Sequence, residues 1–214
     1  MTTLIECIPN VSEGRRPEVV AALRGAALAA GAGVLLLDWT SDADHNRSVL
    51  TFLGDGPSLV RAMEAMVAEA LARIDLTKHE GAHPRLGAVD VIPFVPIRGA
   101  TTADCVALAK GLAASLAEKH GLPVYLYEDA ATSEARRNLA TIRKGEFEGL
   151  AEKMKSPEWK PDFGPDAPHP TAGATVVGAR SPLVAYNVNL GTADLSIADR
   201  IAKSIRHLSG GYRF

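Results

Sequence analysis

Two histidines four residues apart are the first candidates for chemistry. His79-Glu80-Gly81-Ala82-His83 spells H-E-x-x-H, the pattern in which one helical face sets two imidazoles on a zinc ion with a Glu beside the metal-bound water. The same stretch contains Gly81-Ala82-His83-Pro84-Arg85-Leu86-Gly87, a turn that presents one imidazole next to one guanidinium. Backbone chemistry separates the two. Gly81 inside the motif costs a helix about 1 kcal/mol relative to Ala. Pro84 disfavours the α region at the residue before it, which is His83. Gly87 closes the segment, and Val89 to Ile97 reads as a strand, so no following helix offers a third ligand. A loop is expected, with no metal. A zinc hydrolase built on His79, Glu80 and His83 is the lesser alternative.

In a loop, His83 suits a general base, because an imidazole takes up and returns a proton near neutral pH. It equally suits a packed residue that bonds a backbone carbonyl. Polar residues at other strand ends are supporting candidates: Asn10, Asp38, Asn46, Arg47, Arg85 and Arg98. Arg136, Arg137 and Arg143 read as a solvated helical face, although the adjacent pair Arg136 and Arg137 could instead bind carboxylates bidentately. His79, between Lys78 and Glu80, reads as a solvated loop residue. His45, in Asp42-Ala43-Asp44-His45, reads as an ion-paired turn residue. Between Ser156 and Gly173 stand Pro157, Pro161, Pro165, Pro168 and Pro170, which exclude helix and central strand. A loop of that length inside a domain suggests binding, and Trp159 and Phe163 could give it a flat surface for an aromatic ligand.

These residues need elements to hold them. Leu4 to Ile8 reads as a strand, and Ser12 as the cap of a helix running to Gly31. Gly33 to Asp38 is continuously apolar, which suggests a strand buried on both faces. Thr40 to Arg47 is a polar turn, Ser48 to Leu53 a third strand, Gly56 to Ile74 a helix, and Val89 to Ile97 a fourth strand. This β-α-β-β-α-β order gives an α+β fold of the ferredoxin-like plan. Extra elements follow: a helix from Thr101 or Thr102 to His120, a strand Val124 to Tyr127, and a charged helical stretch Glu134 to Met154 interrupted at Lys144-Gly145. Strands Ala174 to Val177 and Leu183 to Val188 then precede a helix from Thr192 to about His207. Asn187-Val188-Asn189-Leu190 with its helix echoes Cys7-Ile8-Pro9-Asn10-Val11 with its own. The expected organisation is therefore a first subdomain over residues 1–179, then the opening β-α part of a similar second one over 180–214, incomplete at Phe214.

Composition limits the partners. The 214 residues carry a formal charge of −2, with 47% hydrophobic and 22% charged residues. That balance argues against a general nucleic-acid binder. The longest apolar run, around Gly33 to Asp38, is too short to span a bilayer, and the first residues do not have the pattern of a signal peptide. Cys7 and Cys105 lie in apolar surroundings without C-x-x-C spacing, so they read as buried free thiols of a reducing compartment. A cytoplasmic protein acting on small molecules is expected.

Several segments together resemble one family: Glu6-Cys7-Ile8-Pro9-Asn10-Val11-Ser12-Glu13-Gly14, Asn46-Arg47, Gly81 through Val91 with its Gly-x-His-Pro-Arg core, Pro93-Phe94-Val95-Pro96-Ile97-Arg98-Gly99, Val124-Tyr125-Leu126-Tyr127 and Pro161-Asp162-Phe163-Gly164-Pro165. In content and order they are similar to the formiminotransferases, over essentially the whole chain. The resemblance implies transfer of a formimino group between N-formimidoyl-L-glutamate and tetrahydrofolate, in histidine breakdown and one-carbon metabolism. It further implies folate bound between two ferredoxin-like subdomains, no metal or redox cofactor, and a homodimer. His83 falls on the family's catalytic histidine. Gly164, Pro165, Asp166, Ala167, Pro168, His169, Pro170, Thr171, Ala172 and Gly173 fall on its folate-binding loop. Arg85, Arg98, Arg136 and Arg137 are the candidates for the substrates' carboxylates, and Asp38 for a protonated formimino group. Thr40 stands where animal members have an Asp, and Ala172 where they have a Trp. A non-catalytic folate-binding module is the other alternative.

Overall fold

The computed structural model describes residues 3–183, 188 and 190–206. Strands β1 (Leu4–Cys7) and β2 (Asn10–Val11) lead into α1 (Pro17–Ala30), β3 (Leu35–Asp42), β4 (Arg47–Gly54), α2 (Gly56–Arg73) and β5 (Val89–Arg98). Then follow α3 (Thr102–His120), β6 (Val124–Glu128), α4 (Leu139–Arg143), α5 (Glu146–Lys153), β7 (Thr175–Ala179) and α6 (Leu195–Ile205). β1 and β2 run between β4 and β5, antiparallel to both, with Ile8-Pro9 breaking them. Pro9 has no N–H to give a ladder. The sheet order is thus β3, β4, then β1 with β2, then β5, β7 and β6, and β7 is parallel to β5 and β6. Mixed α/β architecture follows directly.

Helices α1 to α3 cover one face. Leu23, Ala27, Leu59, Met63, Met66, Leu112 and Leu116 pack there on Ile5, Cys7, Leu50, Phe52, Ile92 and Phe94. Each large side chain so buried contributes about 1.5–3 kcal/mol. The other face is covered at the β5-β7-β6 end, where Ile142, Leu150 and Met154 meet Val91, Tyr125, Tyr127 and Val176. Along β4 the pattern alternates: Ser48, Leu50 and Phe52 are buried, whereas Val49, Thr51 and Leu53 are only half-buried. Antiparallel strands with one packed face give this period of two.

Local signals account for several boundaries. Asp55 caps α2 by accepting from Ser58 N at 2.9 Å, with Pro57 in the first turn. Thr101 and Asp104 form a capping box on α3, and Gly121 ends it at φ 59° as left-handed helix ends favour. Three expectations need correction. Ser12 does not cap α1; its hydroxyl donates to Gly87 O at 2.7 Å, a long-range bond that outcompetes the local one, and the helix begins at Pro17. β3 is not buried on both faces; among the described residues it pairs only with β4, leaving Leu35 59% and Leu37 54% exposed. Continuous apolarity there marks an edge, not a centre. The stretch Glu134 to Met154 is a 3-10 turn (Glu134–Arg136) followed by α4 and α5, separated at Lys144-Gly145, where Gly145 has φ 92°.

The chain falls into two units, Met1–Pro182 and Leu183–Phe214. In the second unit α6 is capped by Asp194, which accepts from Ser196 N at 2.9 Å. The expected strand Leu183 to Val188, the echo at Asn187 and Asn189, and the chain end from 207 lie wholly or partly outside the described residues. Cys7 and Cys105 are buried free thiols. No helix among the described residues is long and apolar enough to cross a membrane.

Candidate active site

The loop that carries His83 is held by close backbone approach. A Cβ on Gly81 would lie 2.3 Å from the His45 carbonyl oxygen, and one on Gly87 2.1 Å from that of Ala174. Only glycine permits such contacts. Ala82 N donates to Asp44 O at 3.0 Å, and Leu86 N to Asp90 Oδ1 at 2.7 Å. Between these anchors His83 is half-buried, with Nδ1 2.7 Å from Pro84 O. A carbonyl can only accept, so Nδ1 carries the proton and Nε2 keeps its lone pair.

Beneath the imidazole lies a buried charge cluster. Asp90 Oδ2 accepts from Arg47 NH1 at 2.8 Å and Arg143 NH2 at 2.5 Å. Asn10 Oδ1 takes the remaining reach of Arg47, at 3.2 Å from Nε and 2.7 Å from NH2. Two guanidiniums on one carboxylate leave a surplus positive charge. Burial first, then Arg47, lowers the His83 pKa, with Arg143 adding to it against the Pro84 carbonyl and Asp90. Burial alone would raise Asp90, but Arg47, Arg143 and the Leu86 N–H outweigh it and hold the carboxyl low. The site is thus a neutral imidazole over a cationic floor. A cavity of roughly 610 Å³ opens beside it, lined by His83, Pro84, Ala140, Thr141, Arg143, Lys144, Gly145 and Glu146.

The other histidine of the H-E-x-x-H pattern has no lone pair to spare. Arg85 Nε donates to His79 Nδ1 at 3.2 Å, and His79 Nε2 donates to Asn46 O at 2.9 Å. The 3-10 turn Leu76–Lys78 ends before the motif, and no helix carries it. The geometry for the zinc alternative is therefore absent: without a helix, positions four apart do not share a face.

Residues 4–180 match the family model described as the formiminotransferase domain, N-terminal subdomain. The chain belongs to the formiminotransferase family. The glutamate formimidoyltransferase of Streptococcus pyogenes serotype M1 is 51% identical over 214 residues, which is 100% of this chain and 71% of that protein. A protein of the same name from Thermoplasma acidophilum is 46% identical over 214 residues, covering 99% of this chain and 70% of its own length. The formimidoyltransferase-cyclodeaminase of Gallus gallus is 46% identical over 211 residues, 99% of this chain but 39% of that protein.

In this formiminotransferase the expected site residues separate into groups. His83, Arg47 and Asn10 come together around Asp90. Asn46, at φ 48°, is a staple: Oδ1 accepts from Gly14 N at 2.9 Å and Nδ2 donates to Glu80 O at 3.0 Å. Arg85 does not itself line the cavity; it is engaged by Glu146 at 2.9 Å and Glu148 at 2.6 Å, tying the His83 loop to α5. Arg136 is buried on Asp162 at 2.7 Å and on the carbonyls of Glu158 and Lys160, both at 2.6 Å. Arg137 reaches Asp129 at 3.5 Å on the surface. Arg98 ends β5, about 30 Å along the strand from Val89 at roughly 3.3 Å per residue. Asp38 is exposed on the edge strand β3. Sequence spacing shows strand ends, but not which end of the sheet each one occupies.

The segment from Gly164 to Gly173 begins exposed and ends buried. His169 and Gly173 exchange backbone bonds of 2.8 and 2.9 Å, Leu76 N donates to Thr171 O at 2.7 Å, and Ala88 N donates to Ala172 O at 3.0 Å. Its far end is thereby fastened beneath the His83 loop. Trp159 and Phe163 are not free flat surfaces: Lys153 Nζ sits 3.9 Å from the Trp159 ring centroid, and Phe163 packs on the core. Two residues were missed from the sequence, Asp90 and Arg143. Asp90 left a signal, since a carboxylate inside the apolar run Val89 to Ile97 must find a cation. Arg143 left none beyond lying on a charged helix.

Proposed function

We propose that this chain takes part in formimino transfer between N-formimidoyl-L-glutamate and tetrahydrofolate, with His83 as general base. The supporting observation is the Nδ1–H bond to Pro84 O, which leaves Nε2 as a free base above the Arg47–Asp90–Arg143 cluster. N5 of tetrahydrofolate attacks the formimino carbon, and Nε2 accepts the proton that the attacking amine loses. The tetrahedral intermediate then collapses with cleavage of the bond to the glutamate nitrogen. Lys144, and Arg143 alongside its bond to Asp90, line the cavity beside His83 and suit the carboxylates of the substrates, whereas Arg85, Arg98, Arg136 and Arg137 are not among the residues that line it. The segment Gly164 to Gly173 is proposed to contact folate. In fold terms, β1-α1-β3-β4-α2-β5 in spatial order β3-β4-β1-β5 is the ferredoxin-like plan, and the unit from Leu183 is proposed to open a second, similar subdomain. A cytoplasmic homodimer completes the reading.

The test is His83→Gln in the full-length protein, with product formation and folate affinity measured together. A loss of kcat of about 10²–10⁴ with folate affinity kept is expected. Near wild-type kcat would overturn the base assignment. Folate binding by a wild-type protein without any transfer would favour the non-catalytic module.

A further inference from the structure

A second imidazole stands next to the first. The rings of His45 and His83 meet edge to face, with centroids 5.8 Å apart at 79°. His45 belongs to a turn that its own carboxylate builds: Asp42 Oδ1 accepts from Asp44 N at 2.9 Å and His45 N at 2.8 Å. The second oxygen, Oδ2, lies 3.2 Å from His45 Nδ1. That contact directs Nδ1–H to the carboxylate and leaves Nε2 for other work. The turn is also fastened to the His83 loop, through Ala82 N to Asp44 O at 3.0 Å and through Gly81 against the His45 carbonyl. The two rings are therefore held in register by backbone, not by chance contact of flexible chains. The His45 side chain remains 51% exposed.

The two environments differ in charge. His83 stands over Arg47 and Arg143, and cations oppose a second proton on it. His45 faces Asp42 of its own turn and the His83 ring of the adjoining loop, and Arg15, from the turn before α1, bonds that turn through Nε to Ala43 O at 2.8 Å.

We propose that His45 is the second proton-transfer group of the site, acting as general acid on the leaving glutamate nitrogen while His83 acts as base on the attacking amine. This rests on the His83 reading above. The proton balance closes. As the new C–N5 bond forms, His83 Nε2 takes the proton of N5. As the bond from carbon to the glutamate nitrogen breaks, that nitrogen takes its electron pair and receives the proton of His45 Nε2. His83 then holds one proton too many and His45 one too few. Transfer between the adjacent rings, whose centroids lie 5.8 Å apart, restores both without a proton from bulk solvent.

The experiment compares His45→Gln, His45→Phe and His83→Gln in the full-length protein, measuring kcat and kcat/KM across pH. Wild type is expected to show a bell, needing His83 neutral and His45 protonated. Both His45 variants are expected to lose about 10²-fold in kcat, to lose the alkaline limb, and to keep KM for folate within about twofold. Phe keeps a ring at the contact but carries no proton, so a Phe variant with wild-type kcat would reduce His45 to packing and overturn the proposal. A fall in kcat with the alkaline limb intact would also overturn it, making His45 a positioning residue. If the Phe variant fails to fold, the limb in His45→Gln decides. Wild-type turnover in His83→Gln would sink the base assignment itself, a different failure.

Discussion

At the scale of single residues, the site depends on keeping one imidazole uncharged. Burial and the cations of Arg47 and Arg143 lower the pKa of His83, so the acid limb of kcat/KM is expected below the ordinary histidine value of about 6.5. The sign for a variant follows. Arg143→Met removes a cation that opposes the imidazolium, so His83 should protonate more easily and the acid limb should move to higher pH. A pH-rate profile of the variant checks this, and an unmoved limb would mean that Arg143 does not act on His83. His83 itself was legible in the sequence, because Gly81 and Pro84 exclude the helix that the zinc motif needs. The direction of its neighbour Arg85 was not. A guanidinium on a long flexible stem can point either way, and Glu146 and Glu148, some sixty positions along the chain, decided it.

At the scale of elements, two clasps hold the site together. The first is Asp90, which joins β5 to β4 through Arg47 and to α4 through Arg143. Asp90→Asn leaves two buried guanidiniums without their counter-charge and should cost about 3–5 kcal/mol in urea unfolding. Because the folded-state pKa of Asp90 is lowered, its contribution is complete above the unfolded value of about 3.9 and is lost as pH falls through the folded one. The variant should therefore lose less stability than wild type on acidification below about pH 4. The second clasp is Lys153, whose Nζ donates to Thr141 O at 2.8 Å, Ile142 O at 2.6 Å and Lys144 O at 3.2 Å. These bonds bind α5 to the end of α4, which carries Arg143. Lys153→Met is expected to speed hydrogen exchange of the amides from 141 to 146 about tenfold or more, since about 1.4 kcal/mol of lost bonding is tenfold. Unchanged exchange would mean that the turn holds itself. The break at Lys144-Gly145 was legible from the glycine; the clasp was not, because a lysine at the end of a charged helix reads as solvated.

At the scale of the whole molecule, the sheet has an unpaired margin. Among the described residues β3 pairs only with β4 and presents Leu35, Leu37 and Trp39, the last 46% exposed beneath the Arg24 guanidinium. A free apolar edge is a template for another strand. Leu37→Lys is expected to lower self-association in sedimentation measurements while leaving the melting temperature within a few degrees. Identical sedimentation of the two proteins would show that association, if present, uses another surface.

Chemistry that depends on near neighbours was determined by the sequence alone. Gly81, Pro84 and Gly87 made the His83 segment a loop, Thr101 or Thr102 announced the start of α3, and the β-α-β-β-α-β order announced a mixed fold, because turn geometry, capping and periodicity act over a few residues. Only the tertiary structure decided which strands lie at the edge, that Ser12 serves Gly87 rather than a helix, that Arg136 belongs to Asp162, and that His45 stands beside His83. Each of these is a contact across many positions, set by how side chains from distant segments compete to fill space and satisfy buried charge.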